Sequence, residues 1–220
     1  MAGLGLPSHS GVVSCGSAFL AQLLCVDAAW STVSLSANGL ASLITTARLM
    51  ISTAAPFDLG PPPAGKLVTT VDELVVRAPV SRIFEIAAAV EHWPAYLPHY
   101  RYVRFREQRR DGGGIVEMAA NRPFGLFNWP TWWLSQMAVN HDVPWVRFRH
   151  IGGVTTHMDV EWSFSAVEGD TLTRIVHVWD GPSWPLISGF AATQVIAPVF
   201  VHGIASRTLA GLAKVAEGGV

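Results

Sequence analysis

The chain has 220 residues, half of them apolar and only 14% Asp, Glu, Lys or Arg, below the roughly 25% of an ordinary soluble domain. Its 15 basic and 16 acidic residues leave a formal charge of −1; with the high apolar content this excludes disorder over most of the length, and it argues against nucleic acid as a partner, because phosphate binding needs a basic field. Nine Trp and ten Phe among so few charges must be buried, line a cavity or face lipid.

Through residue 59 the chain holds one basic residue, Arg48, and two acids, Asp27 and Asp58, amid Ala, Ser, Gly and Leu. The best apolar run, Ala18 to Val26, contains Gln22 and stops at Asp27, far short of the ~20 residues a spanning helix needs. Gly60-Pro61-Pro62-Pro63-Ala64-Gly65 is linker chemistry. Residues 1–65 are therefore expected to be a poorly ordered leader and Pro/Gly linker, with Met50 as an alternative initiator. A divergent export or membrane-association segment is the rival reading. Cys15 and Cys25 are the only cysteines and lack a zinc-spaced partner, and no Asn-x-Ser/Thr sequon occurs. The protein reads as cytoplasmic.

Residues 66–220 form the expected folded domain. Leu67 to Arg77, rich in Val and Thr, reads as a strand. Ala78-Pro79 starts a helix whose apolar stripe is Val80, Ile83, Phe84 and Ala87. Glu91-His92-Trp93-Pro94 breaks it, and a second short helix is expected over Ala95 to His99. Strands follow at about 100–109, 114–121, 131–141, 145–151, 154–167 and 171–180, separated by turn signals such as Asp111-Gly112-Gly113-Gly114 and Glu168-Gly169-Asp170. Such close spacing with short turns predicts an antiparallel meander. At the end, Val201, Ile204, Ala205, Thr208, Leu209, Leu212, Val215 and Ala216 recur every three or four residues. The stripe extends back through Pro198, Gln194, Ala191, Phe190 and Ile187, so one helix of about thirty residues, bent at Pro198, is expected.

That order, with Val75-Val76-Arg77-Ala78-Pro79-Val80-Ser81-Arg82-Ile83-Phe84, Glu91-His92-Trp93-Pro94-Ala95-Tyr96-Leu97-Pro98, Val195-Ile196-Ala197-Pro198-Val199-Phe200-Val201 and Ser206-Arg207-Thr208-Leu209, resembles the START-domain and polyketide cyclase/dehydrase superfamily (SRPBCC) over about residues 68–217. The resemblance implies an α+β helix-grip fold: a curved antiparallel sheet of about seven strands wrapped around a long C-terminal helix, with two short helices after the first strand. It also implies a deep apolar cavity for a hydrophobic small molecule. Members include aromatase/cyclases, coenzyme Q-binding proteins and lipid carriers, and no shared catalytic triad defines them.

Candidate residues are therefore argued from this sequence. Gln194 lies on the apolar stripe of the last helix, where it either hydrogen-bonds a ligand or serves the carbonyl left without a donor by Pro198. Trp93 and Tyr96 sit where the cavity would close; each is either a cap on the ligand or packing among the small helices. Asn121 to Trp133 carries Phe124, Leu126 and Phe127 in a Pro/Gly-punctuated stretch that is not expected to be continuous strand. With Gly181 to Ile187 it reads as a gate, as loops making transient contact with a membrane surface, or as packing over the barrel end.

Alternation puts Met158, Val160, Trp162 and Phe164 on one strand face and His157, Asp159 and Glu161 on the other. The second set, with His177, could suggest a metal, but residues four apart on a strand lie about 13 Å apart, so a solvated face and no metal are expected. In the next strand Ile175, His177 and Trp179 share a face. The lack of an identifiable partner for a buried histidine favours the outward placement; pointing inward, His177 would be the best acid/base for aldol cyclisation and dehydration. The expected ligand-binding set is Gln194, Tyr96, Trp93, Phe124, Trp162, Met158, Trp179 and Phe190, with His177 the catalytic candidate. No nucleotide or dinucleotide fingerprint occurs, so no cofactor is expected. Two functions follow: a cyclase, or a non-catalytic carrier or sensor of a lipid, quinone or isoprenoid.

Overall fold

The computed structural model describes residues 52–124, 127–181 and 201–218. Expectations that fall on Phe190, on Gln194, on the stretch 187–200 of the last helix and on the side chain of Phe124 lie outside the described residues.

Seven strands, β1 (Val68–Val76), β2 (Tyr100–Gln108), β3 (Gly114–Phe124), β4 (Phe127–Asn140), β5 (Trp145–Gly153), β6 (Asp159–Val167) and β7 (Asp170–Trp179), make one antiparallel sheet. Its order is β1-β7-β6-β5-β4-β3-β2, a meander closed by β1 pairing beside β7. Between β1 and β2 come α1 (Val80–Ala88), a 3-10 turn (Val90–His92) and the short α2 (Trp93–Tyr96); α3 (His202–Ala216) ends the chain. This is the helix-grip arrangement, with α3 packed against β1, α1 and α2.

Period two in the strands and period 3.6 in the helices turn one face of each into a shared core. Val160, Trp162 and Phe164 of β6 are buried, as are Val146, Phe148 and His150 of β5. From α1 come Ile83, Phe84 and Ala87, and from α3 Ala205, Leu209, Leu212 and Ala216. Phe84 meets Phe164 edge to face with ring centroids 5.6 Å apart. Gly211 lets α3 sit directly on α2's end: a Cβ there would lie 2.2 Å from Leu97 Cδ2. Gly113 answers the β2–β3 turn, since a Cβ would lie 2.3 Å from the Met137 carbonyl oxygen.

Three local expectations are corrected. The second short helix begins at Trp93, ahead of its expected start, because Pro94 is tolerated in a first turn where its missing N–H has no partner to lose. The strand expected from 154 starts only at Asp159: the chain turns through 154–157, with His157 at φ 70. The stretch 121–133 is paired strand where it is described and not an irregular loop, with β3 and β4 paired to Phe124↔Phe127. Its prolines are accommodated because the β3–β4 pair outruns its neighbours. β2 pairs β3 no further than Ala120, and β5 pairs β4 no further than Trp133. Among the described residues, Pro123 and Pro130 thus lie where the outer edges make no ladder bonds, the position in which a missing donor costs least.

The segment before β1 also docks on the domain. Ser52 N–H donates to the Gln108 carbonyl at 2.6 Å, and the Arg109 guanidinium donates to the Ala55 carbonyl while stacking 3.5 Å over the Phe57 ring. Arg147 donates to the Leu59 carbonyl at 3.0 Å, and Leu59 is buried. Among the described residues no helix is long and apolar enough to cross a membrane.

Candidate functional site

The inner sheet face and α3 line a half-open cavity. Met118, Trp133, Phe148, Val160, Trp162 and Ile175 line it from the strands, Trp93 from α2, and Val201, Ile204 and Ala205 from the start of α3. Each strand residue is there because alternation sends it inward while its neighbours, such as Arg147 and Arg149, go out. Trp93 is held at the floor by packing on Tyr100 (5.3 Å) and Trp162 (5.6 Å), with its indole N–H donating to the Ile86 carbonyl at 3.3 Å. The cavity holds about 60 Å³. That is less than half the ~150 Å³ of an engineered apolar cavity that admits benzene.

Five polar side chains interrupt the apolar lining: Tyr100, His150, Thr155, His177 and Thr208. His150 Nδ1 lies 2.7 Å from Thr155 Oγ1, and its ring stacks near Trp133 with centroids 6.1 Å apart. His177 Nδ1 lies 3.3 Å from Thr70 Oγ1, its cross-strand neighbour on β1. The Thr208 hydroxyl donates to the Tyr100 phenol oxygen at 3.4 Å, and Thr208 Oγ1 is 3.1 Å from His99 Nε2. Burial, and then the Arg207 guanidinium, push the His99 pKa down to about 4, so this imidazole is neutral at pH 7. Beside the start of α3, His202 Nδ1 meets Asp72 Oδ1 at 2.6 Å; burial raises the Asp72 pKa, and His202 offsets this only in part.

Of the residues singled out from sequence, Trp93, Met158, Trp162 and His177 all contribute to this lining. His177 faces inward, against the expected outward placement, and the partner that sequence reasoning could not identify is Thr70. Trp179 is fully buried, its indole N–H donating to the Thr156 carbonyl at 2.9 Å, and is not part of the lining. Tyr96 is 39% exposed and also lies outside the lining. One turn separates Trp93 and Leu97, which both face in and leave Tyr96 outside. The phenol at the cavity belongs instead to Tyr100, the first residue of β2. Sequence reasoning also missed His150, although Val146, Phe148 and His150 alternating with Arg147 and Arg149 carry that signal.

The opposite sheet face is ordinary charge pairing. Arg147 Nε meets Glu161 Oε2 and Arg149 Nε meets Asp159 Oδ1, each at 2.7 Å. Glu161 and Asp159 are thus committed to arginines on one side of the sheet, while His177 lies on the other. Among the described residues no group of three His, Cys, Asp or Glu is placed to hold a metal ion.

Comparison with known proteins agrees with this architecture. The family profile described as polyketide cyclase / dehydrase and lipid transport matches residues 76–197, more than half the chain. No curated protein matches the sequence significantly. Among solved structures, TTHA0849 of Thermus thermophilus is 16% identical, with 67% of this chain and 95% of that one covered and a TM-score of 0.57. The ZhuI aromatase/cyclase of Streptomyces sp. R1128 is 17% identical, with 70% and 99% covered and a TM-score of 0.56. A START superfamily protein of Mycobacterium smegmatis is 16% identical, with 68% and 94% covered and a TM-score of 0.50. At these identities the likeness is one of fold.

Proposed function

The chain belongs to the polyketide cyclase, dehydrase and lipid transport family, and we propose that it closes and dehydrates a poly-β-ketone chain held in its cavity. The observation that carries this reading is the presence of three side chains able to exchange protons, Tyr100, His150 and His177, on a mostly apolar lining. A carrier needs apolar walls and one polar anchor; proton transfer needs groups that exchange protons with the ligand. The likeness to an aromatase/cyclase points the same way.

In the proposed chemistry His177 takes a proton from the carbon between two carbonyls. The resulting enolate attacks a second carbonyl carbon, a carbon–carbon bond forms, and the electron pair of that C=O becomes an alkoxide that takes its proton from Tyr100. For dehydration His177, having released the first proton to solvent, takes a second from carbon, and the hydroxyl leaves as water with a proton from Tyr100. Two carbon-bound protons leave, two protons reach oxygen, and one water is lost. No oxidant or reductant is consumed.

Native mass spectrometry of the full chain as purified, followed by solvent extraction, tests this against the family's other activity. The cyclase reading expects no stoichiometric lipid or quinone, and saturable binding of a short linear poly-β-ketone thioester. A lipid or quinone bound one to one, which that thioester does not displace, would overturn it in favour of a carrier.

A further inference from the structure

Tyr100 carries more structure than a cavity acid needs. Thr208 sits on the inner side of α3 among Ala205, Leu209 and Leu212, and is 1% exposed. A hydroxyl at such a position must be satisfied or cost about 1–3 kcal/mol. It is held on both sides, by the Tyr100 phenol oxygen toward the cavity and by His99 Nε2 away from it. His99 is only partly buried and does not line the cavity, so one buried hydroxyl bridges the wall between a solvent-accessible ring and the cavity phenol.

The direction of the chain follows from counting protons. A threonine hydroxyl has one. In the relay argued below that proton is directed to Tyr100, so His99 Nε2 is the donor to Thr208 Oγ1, His99 is the Nε2–H tautomer, and Nδ1 is the nitrogen that takes a proton from water. Among the described residues the charged group that acts on this ring is the Arg207 guanidinium on α3, which lowers its pKa further after burial.

We infer that His99 and Thr208 form a proton relay that re-supplies Tyr100 from solvent, an inference that rests on the reading of Tyr100 as the acid of the cavity. As Tyr100 gives its proton to the ligand alkoxide, the Thr208 O–H proton passes to the phenol oxygen. The His99 Nε2–H proton passes to Thr208, and solvent protonates Nδ1, leaving neutral Nδ1–H imidazole that returns to the starting tautomer through water. One proton enters from solvent for each one delivered, and no phenolate is left in an apolar cavity, where charge is costly. The 3.4 Å Thr208–Tyr100 contact is long for a hydroxyl pair, as such contacts commonly are before ligand binding tightens them. His99 and Thr208 are thus positioning residues that act through Tyr100.

Two measurements on the full chain test the relay. Nitrogen-15 NMR of the free protein should find His99 as the Nε2–H tautomer, and Thr208→Val should abolish that preference. With a short linear poly-β-ketone thioester as probe, T208V and His99→Gln should each lower kcat by on the order of tenfold to a hundredfold at pH 7, and His99→Gln should do so with unchanged probe affinity. Thr208→Ser, which keeps the hydroxyl, should restore most of it. An Nδ1–H tautomer at His99, or T208V turning over as fast as the wild type, would overturn the relay while leaving the cyclase reading standing. A wild-type chain that binds the thioester without turning it over would overturn the cyclase reading, and the relay with it.

Discussion

Thr70 and His177 stand opposite each other on β1 and β7, with Thr70 Oγ1 3.3 Å from His177 Nδ1. Contact at one ring nitrogen sets the orientation of the imidazole and, through its tautomer, what the other nitrogen can do. Thr70→Val removes that hydrogen bond while suiting a strand at least as well. A bond of this kind is worth about 1 kcal/mol, so T70V should lower kcat on a poly-β-ketone thioester about fivefold with little loss of stability, and Thr70→Ser should recover it. Steady-state kinetics of the two variants decides the matter. Equal kcat in T70V and wild type would reduce Thr70 to packing.

The lowered His99 pKa makes stability pH-dependent in a defined direction. The folded chain holds this ring near 4 and the unfolded chain near 6.5, so the unfolded state binds the proton more readily. Stability from this group is fully present above 6.5 and is lost as pH falls toward 4. After allowance for the partial exposure of the ring the loss should be about 1–2 kcal/mol. Urea unfolding at steps across that window should show it in the wild type, and His99→Gln should flatten it. A curve for H99Q parallel to the wild type would contradict the assignment.

Gly211 and Leu97 make a pair whose coupling has a predicted sign. Alanine is favoured over glycine within a helix by about 1 kcal/mol, but a Cβ at 211 would lie 2.2 Å from Leu97 Cδ2, and Leu97 is 1% exposed. Overpacking of a buried contact costs about 1–3 kcal/mol, so Gly211→Ala should destabilise the wild type by about 1 kcal/mol. In a Leu97→Ala background the same change should stabilise. Chemical denaturation of the four members of this cycle measures the difference directly, and additive effects would contradict the contact.

The segment upstream of the Pro/Gly linker should contribute to stability. Leu59 is 5% exposed, and Phe57 lies under the Arg109 guanidinium. Removing a buried leucine side chain costs about 1.5–3 kcal/mol. A chain beginning at residue 66 should therefore unfold at lower urea than one beginning at residue 52, by at least that much in free energy. Identical midpoints would show that the docked segment is dispensable.

Much of this architecture is legible in local pattern. The stripe of Ile83, Phe84 and Ala87, the alternation of Met158, Val160, Trp162 and Phe164, and the turn at Asp111-Gly112-Gly113 all report on neighbours close in sequence. What escapes such reading depends on pairing between distant segments. His177 faces inward beside Thr70 of β1, 107 residues earlier in the chain, and no local signal names that strand as its neighbour. Pro123 and Pro130 read as loop residues because a central strand would reject them; only the lengths of β2 and β5 reveal that the β3–β4 pair has open edges there. Tyr96 and Tyr100 flank Pro98, and which phenol reaches the cavity turns on where the short helix ends. His150 is different: its alternation with Arg147 and Arg149 was readable, and a polar side chain on an apolar face was the mark to follow.

The most direct test of the central claim is product analysis by mass spectrometry after incubating a short linear poly-β-ketone thioester with the wild-type chain, with His177→Gln and with no protein. The wild type should accelerate formation of a cyclised product that has lost one water, and H177Q should lose on the order of a hundredfold of that rate while still binding the thioester. Wild-type products that match the protein-free reaction in identity and rate would contradict it.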